Sequence, residues 1–143
     1  MDQGILHLHN LLRWIVLVLL LVSLIGAFQK KNSIQKSSLW LMISAHTMLL
    51  IGVYQWVNGK MGWLNVPENI SVMKDAYYRF FLVEHPLMMI ISIVLISVAR
   101  GKAKALEFKS TQWLLLLALI FILAAMPWAF RTGGIGRPWF PGL

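Results

Sequence analysis

Four apolar runs, each long enough to cross a hydrocarbon layer as helix, occupy most of this chain: residues 5–28, 39–57, 78–99 and 112–131. Crossing takes roughly 20 predominantly apolar residues at helical rise. Within a bilayer a helix satisfies its own backbone polar groups, which an irregular segment facing lipid does not. Of 143 residues, 59% are hydrophobic and 13% charged, about half the charge fraction of a soluble domain. The expected fold is therefore all-α, a single integral membrane four-helix bundle over 1–143. Residues 132–143, rich in glycine and proline, form an extramembrane tail.

The net charge is +8, and its placement says more than its size. The loop 29–38 carries Lys30, Lys31 and Lys36, and the loop 100–110 carries Arg100, Lys102, Lys104 and Lys109, seven of the thirteen basic residues. No basic groove interleaved with aromatics is present, so nucleic acid is not an expected partner. Basic loops stay on the cytoplasmic side, which puts both termini and residues 60–77 outside. Arg13, Lys60, Lys74, Arg79, Arg131 and Arg137 then lie on the outer side and call for a local reason. Tryptophans mark both interfaces: Trp40 and Trp113 the inner, Trp56, Trp63, Trp128 and Trp139 the outer. The first run is expected to remain as a span, because Asp2 stands where a signal peptide has basic residues and no A-x-A-like site follows. With no cysteine, disulfides, iron–sulfur ligation, thiolate-bound zinc and covalent haem attachment are excluded.

Local signals place the boundaries. Ser37 or Ser38 is expected to cap the second helix, which stops near Asn58-Gly59. Pro67-Glu68 suits a first helical turn, so the third helix is expected to begin there. Pro86 removes the amide that would bond the Leu82 carbonyl and predicts a kink. The fourth helix is expected to end near Arg131, where Thr132-Gly133-Gly134 stops it.

Ionisable groups at membrane depth are costly and usually face a bundle interior. His9, His46 and His85 lie on three different spans, with Arg13, Glu84 and Arg131 in or beside them. His9 and Arg13, four apart, share a helix face, whereas His7 lies about 160° from His9. His9 lies a few ångström deep, and His85 about 10 Å deep from the same side. His46 lies roughly 10 Å from the inner edge and differs from His85 by about 8 Å. A bis-histidine haem needs ligands at similar depth on facing helices. Depth favours His9 with His85, burial favours His46 with His85, and the sequence leaves both open. Arg13, Arg79 and Arg131 form an outer ring suited to the two propionates through bidentate bonding or to phospholipid headgroups. Glu84 points about 100° away from His85 and is placed to pair with Arg79 or another arginine. The plain alternative is that these histidines are interhelical packing groups. The methionines (Met42, Met48, Met88, Met89, Met126) read as core filling. No serine-nucleophile motif, P-loop, GxGxxG or H-E-x-x-H occurs.

These residues fall in LHNLLRW (8–14), AHTMLLIG (45–52), RFFLVEHPLMM (79–89), MPWAFR (126–131) and GRPWF (136–140). With them the chain resembles, over nearly its whole length, short four-span bacterial membrane proteins of the cytochrome b-like family. The resemblance implies that His9, His46, His85, Arg13, Glu84 and Arg137-Pro138 belong to the family pattern, and that the membrane is the bacterial inner membrane. Met48 departs from it, standing where that pattern has glutamine.

The leading expectation is a haem b protein that carries electrons, linked to quinol or to other membrane redox subunits, rather than a stand-alone enzyme. The protein supplies axial histidines and a dry bundle, and haem the redox chemistry. Two other readings stand beside it: a haem-free accessory subunit of a larger membrane complex, and a small transporter or proton path using Glu84 and the histidines. The last requires a homo-oligomer, since four spans show no inverted repeat.

Overall fold

A computed structural model describes residues 2–140. Four helices run up, down, up and down: α1 (Asp2–Phe28), α2 (Ile34–Asn58), α3 (Ala76–Lys104) and α4 (Phe108–Ala125). Each packs on its neighbours in sequence, and α1 closes the bundle against α4. Leu20, Leu41, Ile96 and Leu115, one from each helix, are fully buried at the centre. Ser23, Ala45, Ser92, Ala99 and Ala118 are buried beside them, and such small side chains let backbones approach closely. Leu50, Val18, Val22, Ile90, Val94 and Ile120 face outward. A bundle apolar inside and out is made for lipid, and all four helices are long and apolar enough to span it. The chain is a multi-pass membrane protein.

Three boundaries differ from the sequence reading. First, α2 begins at Ile34 with Ser33 before it, a turn ahead of the expected serine cap. Ile34 is fully buried against Ala27 and Ala103, and that burial draws the turn into helix. Ser37 and Ser38 instead donate from Oγ to the carbonyls of Ile34 and Gln35. Second, Pro67 starts only an isolated turn, closed by the Ile70 amide. The helix waits for Asp75, whose Oδ1 accepts the Tyr78 amide at 3.0 Å as an N-cap. Third, α4 stops at Ala125, six residues before Arg131. Met126 precedes Pro127 and is extended (φ −67°, ψ 133°), as the residue before proline prefers. The stop after Asn58 falls where expected. The Gly59 amide bonds the Gln55 carbonyl, and a Cβ on Gly59 would sit 2.4 Å from that oxygen.

The expected irregularity at Pro86 takes a specific form. Phe80–Glu84 is a π-helical turn inside α3, and the Leu82 carbonyl freed by Pro86 accepts the Trp56 indole N–H at 2.9 Å. Beyond α4 the chain turns back through Gly133 (φ +71°) and Gly134 (φ +76°), conformations glycine adopts freely. The Arg137 amide bonds the Pro127 carbonyl, and the tail lies across the end of the bundle that carries the N-terminus.

Replacing Trp56 with Phe keeps the ring and deletes the donor to Leu82. We expect a loss of about 1–2 kcal/mol, read from the unfolding midpoint in detergent titration by circular dichroism.

Candidate functional site

His9 projects from the first turns of α1 toward α3, where His85 follows the π turn. Their ring centres are 6.3 Å apart with the planes inclined at 62°. Gly52 of α2 provides the floor, where a Cβ would lie 3.5 Å from His9 Cε1. His85 Nδ1 donates to the carbonyl of Ala125, the last residue of α4, at 2.8 Å. A carbonyl only accepts, so this bond fixes the proton on Nδ1 and leaves Nε2 with a lone pair. The Phe80 ring stands 6.0 Å from His85, and the Arg131 guanidinium lies over the Phe80 ring at 4.9 Å.

The neighbourhood of His9 holds several polar atoms without protein partners. His9 Nδ1, Asn10 Oδ1 and Arg13 Nε are buried and unbonded. All three lie on two adjacent turns of α1 at the same end of the bundle. Buried polar groups are ordinarily satisfied, so this concentration points to a bound group or ordered water.

The arginines divide. Arg13 is 8% exposed, and its Nη2 donates to the carbonyls of Pro138 (3.2 Å) and Trp139 (2.8 Å). Trp14 Nε1 donates to the same Trp139 carbonyl at 2.7 Å. Trp14 stacks on Trp139 and Phe140, so the tail forms an aromatic cover over the end of the bundle near His9. Arg131 donates to the Ala124 carbonyl. Arg137 lies over Phe81 at 4.8 Å and donates to Tyr77 Oη and Met61 Sδ, tying the tail to the 60–77 segment. Arg79 bonds Glu84 at 2.8 Å and the Met73 carbonyl at 3.1 Å. The π turn brings these two residues, five apart, onto one side. The expected ring of three propionate-binding arginines is thus reduced. Arg79 is taken up by Glu84, while Arg13 and Arg131 border the histidine pair.

His46 does not belong to this site. It is exposed on the lipid-facing side of α2, and its Nδ1 donates to the Met42 carbonyl of its own helix at 2.8 Å. The pairing of His46 with His85 that burial favoured is replaced by His9 with His85. His7 is exposed on the other side of α1. Sequence reasoning missed Asn10, Gly52 and Phe80. Asn10, adjacent to His9 in LHNLLRW, carried a usable signal as a polar residue in an apolar run.

Among the described residues no three histidine, cysteine, aspartate or glutamate side chains converge on a common point. A metal held by protein ligands alone is not supported. The His9–His85 separation and inclination are those of an edge-to-face ring contact. Comparison with known proteins returned no matching family model, curated protein or solved structure.

Replacing Arg13 with Ala removes two charge-assisted bonds to the tail. We expect trypsin to cut after Arg131 about tenfold faster, followed by mass spectrometry of the detergent-solubilised protein, with helix content unchanged.

Proposed function

We propose that the chain is a b-type haem protein of the bacterial inner membrane that carries electrons within the bilayer, with a quinol among its electron donors. The observation that carries this reading is the His9–His85 pair, two imidazoles on facing helices with ring centres 6.3 Å apart. The Ala125 carbonyl holding Nδ1–H of His85 is the outer-shell bond that orients ligating histidines and raises their basicity. The π turn before His85 is a second support, since such turns recur at functional sites. The unpartnered atoms of His9, Asn10 and Arg13 are a third. The resemblance to cytochrome b-like proteins takes in both of these histidines, together with His46.

Haem supplies a one-electron couple, and the chain's own residues set its surroundings. His9 and His85 would hold the haem iron. Arg13 and Arg131 stand at the edge of the site, where positive charge suits propionates and favours the reduced form. The tail cover of Trp14, Trp139 and Phe140 limits water at that edge. The positive-inside rule supports a cytoplasmic side for the lysine-rich loops, with the histidine pair and both termini toward the outer face.

A haem-free accessory subunit is the second reading. The His85–Ala125 bond favours it, being structurally useful with or without a metal.

Protein expressed with haem supplied and purified in mild detergent should show a b-type reduced α band at about one haem per chain. His9→Ala and His85→Ala should lose the band, and His46→Ala should keep it. A colourless, monodisperse, folded protein would favour the accessory reading.

A further inference from the structure

Acidic residues are scarce in this chain and unevenly placed. Four of the five, Asp2, Glu68, Asp75 and Glu84, belong to the first turn of α1, the 60–77 segment and the start of α3. The opposite end of the bundle carries seven basic residues and one carboxylate, Glu107, which Lys102 holds at 2.9 Å. The other six cations there have no acidic partner among the described residues. The charge that balances them comes from outside the chain.

One place at that end is shaped to receive it. Between α1 and α4 lies a cavity of about 400 Å³, lined by Phe28, Lys30, Lys109, Gln112, Trp113 and Leu116. Its size falls in the range of small-molecule sites. Lys30 and Lys109 meet there from distant parts of the sequence, and no acidic side chain lines it. On α4, Lys109, Gln112, Trp113 and Leu116 share one face at helical spacing. They pass from charge to hydrocarbon over about 10 Å. Gln112 Nε2 bonds the Ala27 carbonyl at 2.9 Å and ties α4 to the end of α1. Phe28 and Trp113 are exposed, so the apolar part of the cavity opens toward lipid.

Lys30 has a backbone that favours another residue. Its φ is +53°. Its amide bonds the Ala27 carbonyl, and the Lys31 amide bonds the Gly26 carbonyl. In this two-bond helix ending glycine ordinarily takes the position Lys30 holds, because a side chain there is strained. What lysine brings in exchange is an ammonium group at the cavity.

We infer that this cavity binds the headgroup of an anionic phospholipid, its phosphate between Lys30 and Lys109 and its acyl chains along Trp113 and Leu116. Basic pockets between membrane helices hold such headgroups. Charge selects the class. A choline or ethanolamine headgroup would bring a third cation beside two lysines, with no carboxylate to receive it. Phosphatidylglycerol brings one negative charge and hydroxyls. The apolar wall selects a lipid over free phosphate, which has nothing to place against Trp113 and Leu116. The site lies at the opposite end of the bundle from the histidine pair and does not rest on the haem reading.

The test is native mass spectrometry of the full chain in non-ionic detergent, titrated with dioleoyl phosphatidylglycerol or dioleoyl phosphatidylcholine. The anionic lipid should bind at least about tenfold more tightly. Lys30→Gly and Lys109→Gln should each weaken it about fivefold, the weight of one lysine beside an anionic headgroup. Lys36→Gln and Lys104→Gln remove the same charge at the same end but outside the cavity, and should leave it unchanged. Lys30→Gly relieves the left-handed backbone, so its unfolding midpoint should not fall while its lipid binding does. Excess inorganic phosphate should not displace the lipid. Equal affinity for the two lipids would overturn the proposal, as would undiminished binding by Lys30→Gly and Lys109→Gln. Equal losses in Lys36→Gln and Lys104→Gln would overturn it in favour of a diffuse basic surface. Displacement by inorganic phosphate would overturn it in favour of a soluble anion. Loss of binding confined to variants with a lowered unfolding midpoint would make the two lysines structural and overturn it too.

Discussion

The constraint on which this bundle depends is the unpaired helix end. The last carbonyls of a helix have no partner within it, and leaving one without a partner away from water is costly. Here neighbouring helices supply the donors. Gln112 Nε2 bonds the Ala27 carbonyl at the end of α1, and Gln35 Nε2 bonds the Lys104 carbonyl at the end of α3. His85 Nδ1 does the same for Ala125 at the end of α4, and Arg131 for Ala124. The glutamine and histidine bonds each cross to a different helix, so capping and helix–helix registration are one event there. At α4 the capping side chain is also the candidate ligand. The early stop at Pro127 therefore creates the carbonyl that orients His85.

The π turn extends the same logic to the middle of a helix. Pro86 leaves the Leu82 carbonyl without its amide, and Trp56 from α2 takes it. The wider turn brings Arg79 to Glu84, pairing the carboxylate that precedes His85 in the chain. Phe80, first residue of the turn, is left buried between His85 and Arg131. One proline thus sets the partner of Glu84, the neighbour of His85 and a contact between α2 and α3.

The sequence made the four spans legible because hydropathy integrates over some twenty residues and tolerates local error. It made the ends less legible. Ile34 joins α2 because Ala27 and Ala103 bury it, and those residues are distant in sequence. The depth argument picked out His9 with His85 because rise along a helix is fixed by geometry. The burial argument failed for His46 because burial depends on how a helix is rotated about its axis. The rotation of α2 is set by Leu41, Ala45 and Gly52 facing inward. From Ala45 the next residue turns about 100°, and His46 goes to the lipid side. The arginine ring was half legible. Arg13, Arg79 and Arg131 lie toward the end of the bundle that carries the N-terminus, but the tail that occupies Arg13 folds back through glycines with no hydropathy signal.

The two histidine environments solve one problem in two ways. A buried imidazole N–H without a partner is costly, whereas an acceptor left with a free lone pair is better tolerated. His85 hands its N–H across the bundle to α4, and His46 hands its own back one turn along α2. Each arrangement places the proton on Nδ1 and presents Nε2 as a base. What differs is where that base points. His85 lies inside the bundle beside His9, at the end covered by the tail, where the ring of a second imidazole meets its own. His46 faces the lipid side of α2, in a groove it shares with Ser97 of α3. His46 and the Gly52 floor beneath His9 are six residues apart on α2, about 9 Å along the axis. The same helix therefore carries both surroundings on different faces, and α3 completes each of them.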